Sequence, residues 1–357
     1  MRELRANLRY RIGQTAARLI GPRAYSDRLI RDEISSVLIC RINARMGNAV
    51  FLTPLIHRIH ELLPHASVDL AIAYPKADDL LGSLPGVRRI ILFPYKGVRL
   101  VWRYLAAVRR VRRERFDLVI DPAPNSTSGR MVLMLARARY RLGFATDDQW
   151  SPLTHAIPFP DTSMHQAAQP EFLLSRALGL DCDPRDVRLW LPLEPQEIEA
   201  GRAAIARAVA AKGRAGTAEA FGFFAHATGL KAVAPAYWRA FLDAFLELQP
   251  DAIPVEVLPS PASVPTDPRC ASLHLPSPRA LTAAMSAMRL FVSADTGPMH
   301  LAGSTAVPTI ALFRASDPAL YGPMKPCDLS LDVARCSPRA VADRCQSIWQ
   351  QHRRGGV

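Results

Sequence analysis

Short apolar segments alternate along most of the chain with longer stretches in which apolar residues recur at helical spacing. Segments of this kind are typical of strands in a parallel sheet that is covered on both faces. The predicted strands are residues 37–42, 68–73, 89–93, 118–120, 221–225, 254–258, 290–293 and 309–313. The predicted helices between them are residues 49–63, 101–115, 130–138, 236–248, 280–288 and 299–305, with a further helix over residues 340–352.

This alternation predicts an α/β fold with two Rossmann-like, doubly wound domains. The chain has 357 residues, more than one hydrophobic core usually organises. Residues 181–195 are rich in proline and charge and form the best candidate linker. We therefore expect one domain over residues 34–185 and another over residues 186–357, facing one another across a cleft. Open parallel sheets bind ligands beyond the carboxyl ends of their strands.

Residues 1–33 are predicted to form a separate amphipathic helix. Its apolar positions follow helical spacing, and arginines cover much of the remaining surface; the apolar positions are Leu4, Leu8, Ile12, Ala16 and Leu19. Such a helix suits an anionic membrane surface. Packing against its own domain is at least as good an interpretation.

The chain is strongly basic, with a formal net charge of +13, and only five of its 45 basic residues are lysines. Arginine suits phosphate and carboxylate, so the charge favours an anionic partner, although a genome that prefers arginine explains it equally well. We find no nucleic-acid-binding module and no metal-ligand cluster among the six cysteines. No apolar run is long enough to span a bilayer. These features predict a cytoplasmic protein without a metal.

The clearest local signal is the segment SADTGPMHLAGSTAVPTIALF at residues 293–313. A buried strand ends at Asp295, a tight turn follows, and a helix begins that carries Met299 and His300. The start of such a helix directs free backbone N–H groups at whatever lies above the strand, which suits a diphosphate. The structural alternative makes Asp295 a plain N-cap and His300 a half-buried imidazole.

Two further segments place polar residues directly after a predicted strand. In AHATGLKAVAPAYWRAF, residues 225–241, Thr228 and Lys231 precede a helix, and an ammonium there can neutralise charge on a departing phosphate. A solvated loop lysine is the alternative. In the segment beginning CRINARMGN at residue 40, Gly47 permits close approach of a ligand or an unusual dihedral angle. Arg41 and Arg45 could meet anions there.

Together these segments resemble glycosyltransferase family 9, the bacterial lipopolysaccharide heptosyltransferases. RINARMGNAVFLTPL is similar to the family's first block, HATGLKAVAPAYW to its middle block and DTGPMHLAGSTAVPTIALF to its last. The resemblance covers roughly residues 35–325, and the last block is the most specific. It implies a GT-B architecture in which the first domain binds the acceptor and the second binds a nucleotide-sugar donor, with inversion of the anomeric centre and no metal or other cofactor.

The resemblance also assigns roles to individual residues. It implies a donor site that binds the diphosphate of a sugar nucleotide, for which ADP-heptose is the expected substrate. This donor site comprises Thr228, Lys231, Asp295, Thr296, Gly297, Pro298, Met299 and His300. The acceptor site is expected at Arg41, Arg45 and Gly47.

Asn48 is the departure from the family that matters most. The family has an aspartate there, taken to deprotonate the acceptor hydroxyl, and an amide has no basic lone pair for that task. Three interpretations follow. Another carboxylate, Asp121 or Asp147, takes over; the acceptor is acidic enough to need less help; or the chain is a silent relative that binds a nucleotide sugar or glycan. We favour an active enzyme with a displaced base, with Asn48, Lys231 and Asp121 as its catalytic candidates.

The expected acceptor is an anionic glycolipid or related glycan, and we expect no nucleic-acid partner. A dense group of arginines would meet phosphorylated sugar or the inner leaflet of the membrane, so the protein is expected to be peripheral on the inner face of the inner membrane. Solvated arginines on a helix surface are the alternative. The group is Arg99, Arg103, Arg109, Arg110, Arg112, Arg113 and Arg115.

Overall fold

The computed structural model describes residues 28–94, 100–124, 126–145, 153–160, 163–214, 216 and 219–354. The chain divides into two compact units, with the boundary between Val187 and Arg188. Each unit contains one sheet of six parallel strands with helices between successive strands. The predicted helix over residues 1–33 falls almost entirely outside the described residues, which contain only a 3-10 turn, Arg31–Glu33, from that segment.

The first unit carries its six strands in the order β3-β2-β1-β4-β5-β6. Strands β1, β2 and β4 are largely buried, as the runs of apolar residues predicted, whereas β5 is buried only near its end. The strands are β1 (Ser36–Arg41), β2 (Ser67–Ile72), β3 (Val87–Leu92), β4 (Arg115–Asp121), β5 (Arg137–Ala145) and β6 (His155–Pro158). The helices are α1 (Met46–Val50), α2 (Thr53–Leu62), α3 (Ala77–Leu81), α4 (Val101–Arg113), α5 (Thr127–Leu135) and α6 (Ala168–Ala177).

The second unit repeats this topology, with the strand order β12-β11-β10-β7-β8-β9. Its strands are β7 (Ala220–Phe224), β8 (Ile253–Val257), β9 (Ala271–Leu273), β10 (Phe291–Ala294), β11 (Thr309–Phe313) and β12 (Leu329–Asp332). Its helices are α7 (Pro195–Ala210), α8 (Pro235–Leu248), α9 (Pro278–Ser286), α10 (Gly297–Gly303), α11 (Pro318–Tyr321) and α12 (Pro338–Arg354).

Both units therefore share one strand order, in which the first and fourth strands of each unit lie side by side at the centre of the sheet. The direction of winding reverses between these two strands, and open α/β sheets bind ligands at that reversal, beyond the carboxyl ends of the strands. The reversal lies between β1 and β4 in the first unit and between β7 and β10 in the second. Each unit thus has one position at which a ligand site is expected.

All eight predicted strands are present, but two predictions about helices are wrong. The predicted helix 130–138 begins earlier and ends at Leu135, because the next residues form β5, whose alternating pattern RARYRLGFA has half-buried arginines. The predicted helix 49–63 is two helices, α1 and α2. The break falls at Phe51 and Leu52, just before Pro54 at the start of α2.

Helix α7 follows the predicted linker and packs closely on α9. Its first turn has a capping box, in which Glu194 and Glu197 each bond the other's backbone N–H. At Gly201 the two helices approach so closely that an added Cβ atom would lie 2.5 Å from the backbone carbonyl of Ala283. Glycine is needed here because no larger residue fits between the two backbones.

Each unit contains a hydrophobic core. In the second unit, the aromatic side chains of β7, α8 and α12 pack edge-to-face, with Phe221, Phe245 and Trp349 almost completely buried. In the first unit, smaller apolar side chains of β1, β4, α4 and α5 form the core. Among the described residues, no helix is both long and apolar enough to cross a bilayer.

Candidate active site

The predicted donor residues of the second unit follow β7 and β10, the two strands at which its winding reverses. β7 leads into a loop with a 3-10 turn, Gly229–Lys231, and β10 leads directly into Asp295. The side chain of Lys231 reaches across, so that its Nζ lies 2.5 Å from Oδ2 of Asp295. Two segments selected separately in the sequence therefore meet at the expected position.

Asp295 is the buried centre of this site, with 3% of its surface exposed. The hydroxyl of Ser316, in the loop after β11, donates to the same oxygen that Lys231 contacts. The backbone N–H of Asp295 donates to the carbonyl of Leu312, 3.2 Å away. Three neighbouring strands thus hold the carboxylate in place, and Asp295 in turn fixes the lysine.

Lys231 remains accessible although it is paired. Its side chain is 41% exposed, and the ring of Tyr321 lies 5.5 Å from its ammonium group. An ammonium has three donors, so the contact with Asp295 leaves others for a ligand. An incoming anion would therefore meet a lysine that Asp295 and Tyr321 already hold in position.

Backbone donors lie beside this lysine at the start of α10. Pro298 has no N–H, and the N–H of Met299 donates to the carbonyl of Thr296. The N–H groups of Thr296 and Gly297 have no hydrogen-bond partner within the described part of the chain. The hydroxyl of Thr296 donates to the carbonyl of Ala294 and does not cap the helix. Two adjacent unbonded N–H groups next to an ammonium suit a phosphate oxygen.

The remaining predicted donor residues lie at different depths. The side chain of Met299 is fully buried against Ala311 and Phe313, so it belongs to the core. His300 is buried, with 6% exposure. Thr228 is exposed at the start of the 3-10 turn, and within the described residues its side chain forms no hydrogen bond with the Lys231–Asp295 pair. Only part of the predicted donor set therefore surrounds the ammonium.

Sequence reasoning missed three residues of this site. Ser316 binds Asp295, Tyr321 lies over Lys231, and Arg314 donates to the carbonyl of Ala232 at 2.8 Å, which ties the loop after β11 to the loop after β7. Neither Ser316 nor Arg314 belongs to a motif. The one available signal was the DPALYGP segment at residues 317–323, which contains Tyr321 and resembles the family.

The predicted acceptor residues of the first unit follow β1. Arg41 ends the strand, and its Nη2 donates to Oδ1 of Asn48 in α1 at 2.8 Å. Arg45 is exposed just before α1, and its N–H donates to the side chain of Asn43. Gly47 has ordinary helical backbone within α1, so an unusual dihedral angle does not explain it. The structure thus brings Arg41 and Asn48 into direct contact.

This contact defines what Asn48 can do. Arginine only donates hydrogen bonds, so the oxygen of the amide faces Arg41 and its NH₂ group is the part left for a ligand. Asn48 can therefore donate a hydrogen bond to a hydroxyl oxygen of an acceptor substrate. It cannot remove the proton of that hydroxyl.

Asp121 ends β4, next to β1, but it is fully buried. Its Oδ2 accepts from Nε of Arg130 at 3.0 Å, and the equally buried Arg130 also donates to the carbonyl of Phe144. Burial raises the pKa of Asp121 to about 6, although the charges of Arg130 and Arg41 act in the opposite direction. This geometry favours a structural role over the predicted catalytic one. Asp147, the other candidate base, lies outside the described residues.

The described residues contain no group of three or more histidine, cysteine, aspartate or glutamate side chains that could hold a metal ion. The positive groups at the second-unit site are instead Lys231 and the backbone donors. The site's chemistry is thus that of an anion-binding corner between two strands.

Residues 270–344 match the model of glycosyltransferase family 9 (heptosyltransferase). This range contains the 293–313 segment on which the resemblance was based, including Asp295 and α10, so the predicted resemblance is confirmed. No curated protein sequence matches the chain significantly.

The chain is also similar over most of its length to solved structures of low sequence identity. A glycosyltransferase family 9 protein from Veillonella parvula is 18% identical with a TM-score of 0.74, and the match covers 90% of this chain and 99% of that one. The E. coli heptosyltransferase WaaC with ADP is 16% identical with a TM-score of 0.68, covering 88% and 99%. E. coli ADP-heptose LPS heptosyltransferase II is 15% identical with a TM-score of 0.70, covering 90% and 100%. These matches confirm the predicted GT-B type of α/β fold.

Proposed function

We propose that this chain, a glycosyltransferase with the signature and the fold of family 9, transfers heptose or a related sugar from a nucleoside-diphosphate donor to a lipopolysaccharide or related glycan acceptor. The observation that carries the proposal is the pairing of Lys231 with Asp295 at the β7/β10 reversal, beside the unbonded N–H groups of Thr296 and Gly297. ADP-heptose is the donor we expect, because two of the similar structures are named for heptosyltransferases and one of them contains ADP.

In this proposal the second unit holds the donor pyrophosphate. When the bond between sugar and phosphate breaks, negative charge accumulates on the departing diphosphate. Lys231 and the backbone donors can bear that charge, which is the task a metal ion performs in other enzymes. The reaction should therefore proceed without a metal and invert the anomeric centre by direct attack of the acceptor hydroxyl.

The first unit would hold the acceptor, with Arg41 fixing Asn48 so that its NH₂ group donates to an acceptor oxygen. Deprotonation then depends on a group other than Asn48. Because Asp121 is buried against Arg130, we propose that the base is a different carboxylate or that the acceptor is acidic enough to react without strong assistance. The acceptor we propose is an anionic glycolipid at the cytoplasmic face of the inner membrane.

A second candidate function is a silent relative that binds a nucleotide sugar or glycan without turning it over. The amide at Asn48 and the burial of Asp121 favour it, since neither offers a base to an acceptor. Turnover separates the two functions: the purified chain is incubated with ADP-heptose, with and without EDTA, and release of ADP and sugar transfer are followed.

If the chain is a transferase, the release of ADP should persist in EDTA. ADP release should vanish in Lys231→Ala but not in Lys212→Ala. Lys212 is a suitable control because it is an exposed lysine that donates to the carbonyl of Pro268 in the same unit. Binding of ADP without any turnover would favour the silent relative. Neither binding nor turnover with ADP-, UDP- or GDP-sugars would contradict both.

A further inference from the structure

The outer face of α4 combines exposed apolar side chains with arginines that have no acidic partner in the part of the chain that the structure describes. The inner face of this helix packs on the core of the first unit through Ala107 and Val111, with Tyr104 and Val108 partly buried. The opposite face is exposed over the whole length of the helix. Its two halves differ in chemistry.

The first half of this face is apolar. Trp102 is 81% exposed, Val101 51% and Leu105 45%, three of the eight large apolar side chains that are exposed among the described residues. Burying such a side chain is favourable because it removes apolar surface from water. Leaving three of them in water within two turns of one helix is unfavourable unless something covers them, and grouped exposure of this kind marks an interaction site.

The second half of the face is basic. Arg109, Arg110, Arg112 and Arg113 are exposed, and none of them has an acidic partner within the described residues. The adjacent acid, Glu114, instead forms ion pairs with two arginines of β3. Like charges three or four residues apart on a helix repel each other and destabilise it. An external anion would relieve this repulsion.

We propose that the outer face of α4 docks on the surface of an anionic lipid bilayer. Val101, Trp102 and Leu105 would enter the interfacial region, where tryptophan is favoured because its ring is apolar and its N–H can remain hydrated. The four arginines would bind lipid phosphates. The aliphatic side chains favour a lipid bilayer over other anionic partners. A phosphorylated glycan or a nucleic acid can stack on tryptophan but offers no apolar surface to valine and leucine.

The proposal does not depend on the proposed function, and it is tested with the full chain and vesicles. Co-sedimentation is measured with vesicles of phosphatidylcholine alone and with vesicles containing about one third phosphatidylglycerol. We expect binding to the anionic vesicles that weakens with added salt, because exposed charges are screened. Binding to neither vesicle type, or equally to both, would overturn the proposal.

Two sets of variants locate the surface. Trp102→Ser with Leu105→Ser removes the apolar half, and changing the four arginines to glutamine removes the charge while keeping good helix formers. We expect at least a 10-fold loss of vesicle affinity for the first and about 100-fold or more for the second. Val264→Ser, at a valine 80% exposed in the other unit, and Arg207→Gln with Arg344→Gln, at two exposed arginines of α7 and α12, should bind as wild type does.

Circular dichroism and the melting temperature show whether each variant is folded. If the double serine variant is unstable, Trp102→Gln is tested in its place. The segment before residue 28 is the competing explanation, so Leu8→Ser with Ile12→Ser is tested in parallel. Loss of vesicle binding in that variant, with full binding in folded α4 variants, would assign the membrane contact elsewhere. Affinity of α4 for a soluble phosphorylated glycan or for DNA, with none for vesicles, would also overturn the proposal.

Discussion

Lys231 and Asp295 are 64 residues apart in the sequence, yet Nζ of the lysine lies 2.5 Å from Oδ2 of the aspartate. The contact exists because β7 and β10 are neighbours in the sheet although two helices and two strands, α8, β8, β9 and α9, separate them along the chain. The pair is electrically balanced before a ligand arrives. A pyrophosphate must therefore share the ammonium with Asp295, and the other donors of the lysine become important.

Lys231→Ala should reduce kcat/KM for the donor by about 10²- to 10³-fold, the usual effect of removing one charge-stabilising donor. Donor turnover at several ADP-heptose concentrations measures this. The lysine is 41% exposed, so the change should lower the free energy of unfolding by less than about 1 kcal/mol. Lys231→Arg should also be impaired, because the guanidinium is planar and larger than the ammonium it replaces. An alanine variant with wild-type kcat/KM would remove the basis of the donor site.

Ser316→Ala should weaken donor binding about 5- to 10-fold while changing kcat less. The serine hydroxyl donates to the buried carboxylate of Asp295, and loss of one hydrogen bond to a charged group costs roughly 1.5 kcal/mol. Freed from the serine, Asp295 should hold Lys231 more tightly and leave it less available. Isothermal titration with ADP measures the effect, and Ser347→Ala, in α12, is the control. Unchanged ADP affinity would mean that Ser316 only supports the loop.

Asn48→Asp should change kcat by less than about 10-fold if deprotonation occurs elsewhere. The new carboxylate would pair with Arg41, whose guanidinium already faces this position. Rates of sugar transfer are compared for wild type, Asn48→Asp and Asn48→Ala. The alanine variant should mainly raise the KM for the acceptor, because it removes the proposed donor to the acceptor oxygen. Transfer by Asn48→Asp from an inactive wild type would instead identify the natural chain as a silent relative.

Asp121→Asn should lower the free energy of unfolding by roughly 1–3 kcal/mol at neutral pH, because the amide has one oxygen where the carboxyl group has two, so its NH₂ group meets a buried donor of Arg130 or Ala123. Donor binding should persist. Urea denaturation measures the loss, and Asp181→Asn, at a fully exposed aspartate, should have almost no effect.

The difference in stability between wild type and Asp121→Asn should also depend on pH. The pKa of Asp121 is raised by burial to about 6, above that of an aspartate in the unfolded chain, about 4. The folded state therefore holds this proton more tightly, and the residue's contribution to stability is greatest below about pH 4 and falls as the pH rises to about 6. The stability advantage of wild type over Asp121→Asn should accordingly be larger at pH 4.5 than at pH 7.5. The opposite trend would show that the carboxylate is stabilised in its charged form.

Gly201→Ala should lower the free energy of unfolding by about 1–3 kcal/mol, although alanine is the better helix former. Its methyl group would lie 2.5 Å from backbone atoms of Ala283, which cannot move aside without shifting α9. Gly303→Ala is the matched control, because the nearest atom to its added Cβ is 3.6 Å away, an ordinary contact. Equal melting temperatures for the two variants would mean that α7 and α9 separate easily.

Much of the fold follows from the sequence because fully buried parallel strands are continuous apolar runs. The strand Thr309–Phe313 was predicted with its exact bounds. β5 was missed because its first five residues alternate arginine with smaller or aromatic residues, a pattern suited to a half-buried strand and here mistaken for part of a helix. α7 was missed because proline at residue 195 was attributed to a linker, whereas it occupies the first turn of a helix.

The donor site could be predicted where backbone and motif coincide, as at Asp295 and Lys231. Contacts made in three dimensions could not. Nothing in the sequence indicates that Arg130 neutralises Asp121, or that Ser316 binds Asp295, because these partners come from different loops and helices. The burial of Met299 was equally hidden, since a motif does not reveal which of its side chains face the interior.

The strand order that the two units share has a consequence for how such a protein can diversify. A transfer reaction joins two reactants, and a chain that repeats one topology offers each reactant a crevice of its own. Under the proposed function, substitutions around Arg41 would alter which molecule receives the sugar, while unchanged residues around Lys231 would preserve the choice of nucleotide. A change at one crevice, such as the amide at residue 48 where the family resemblance implies an acid, need not erase recognition at the other.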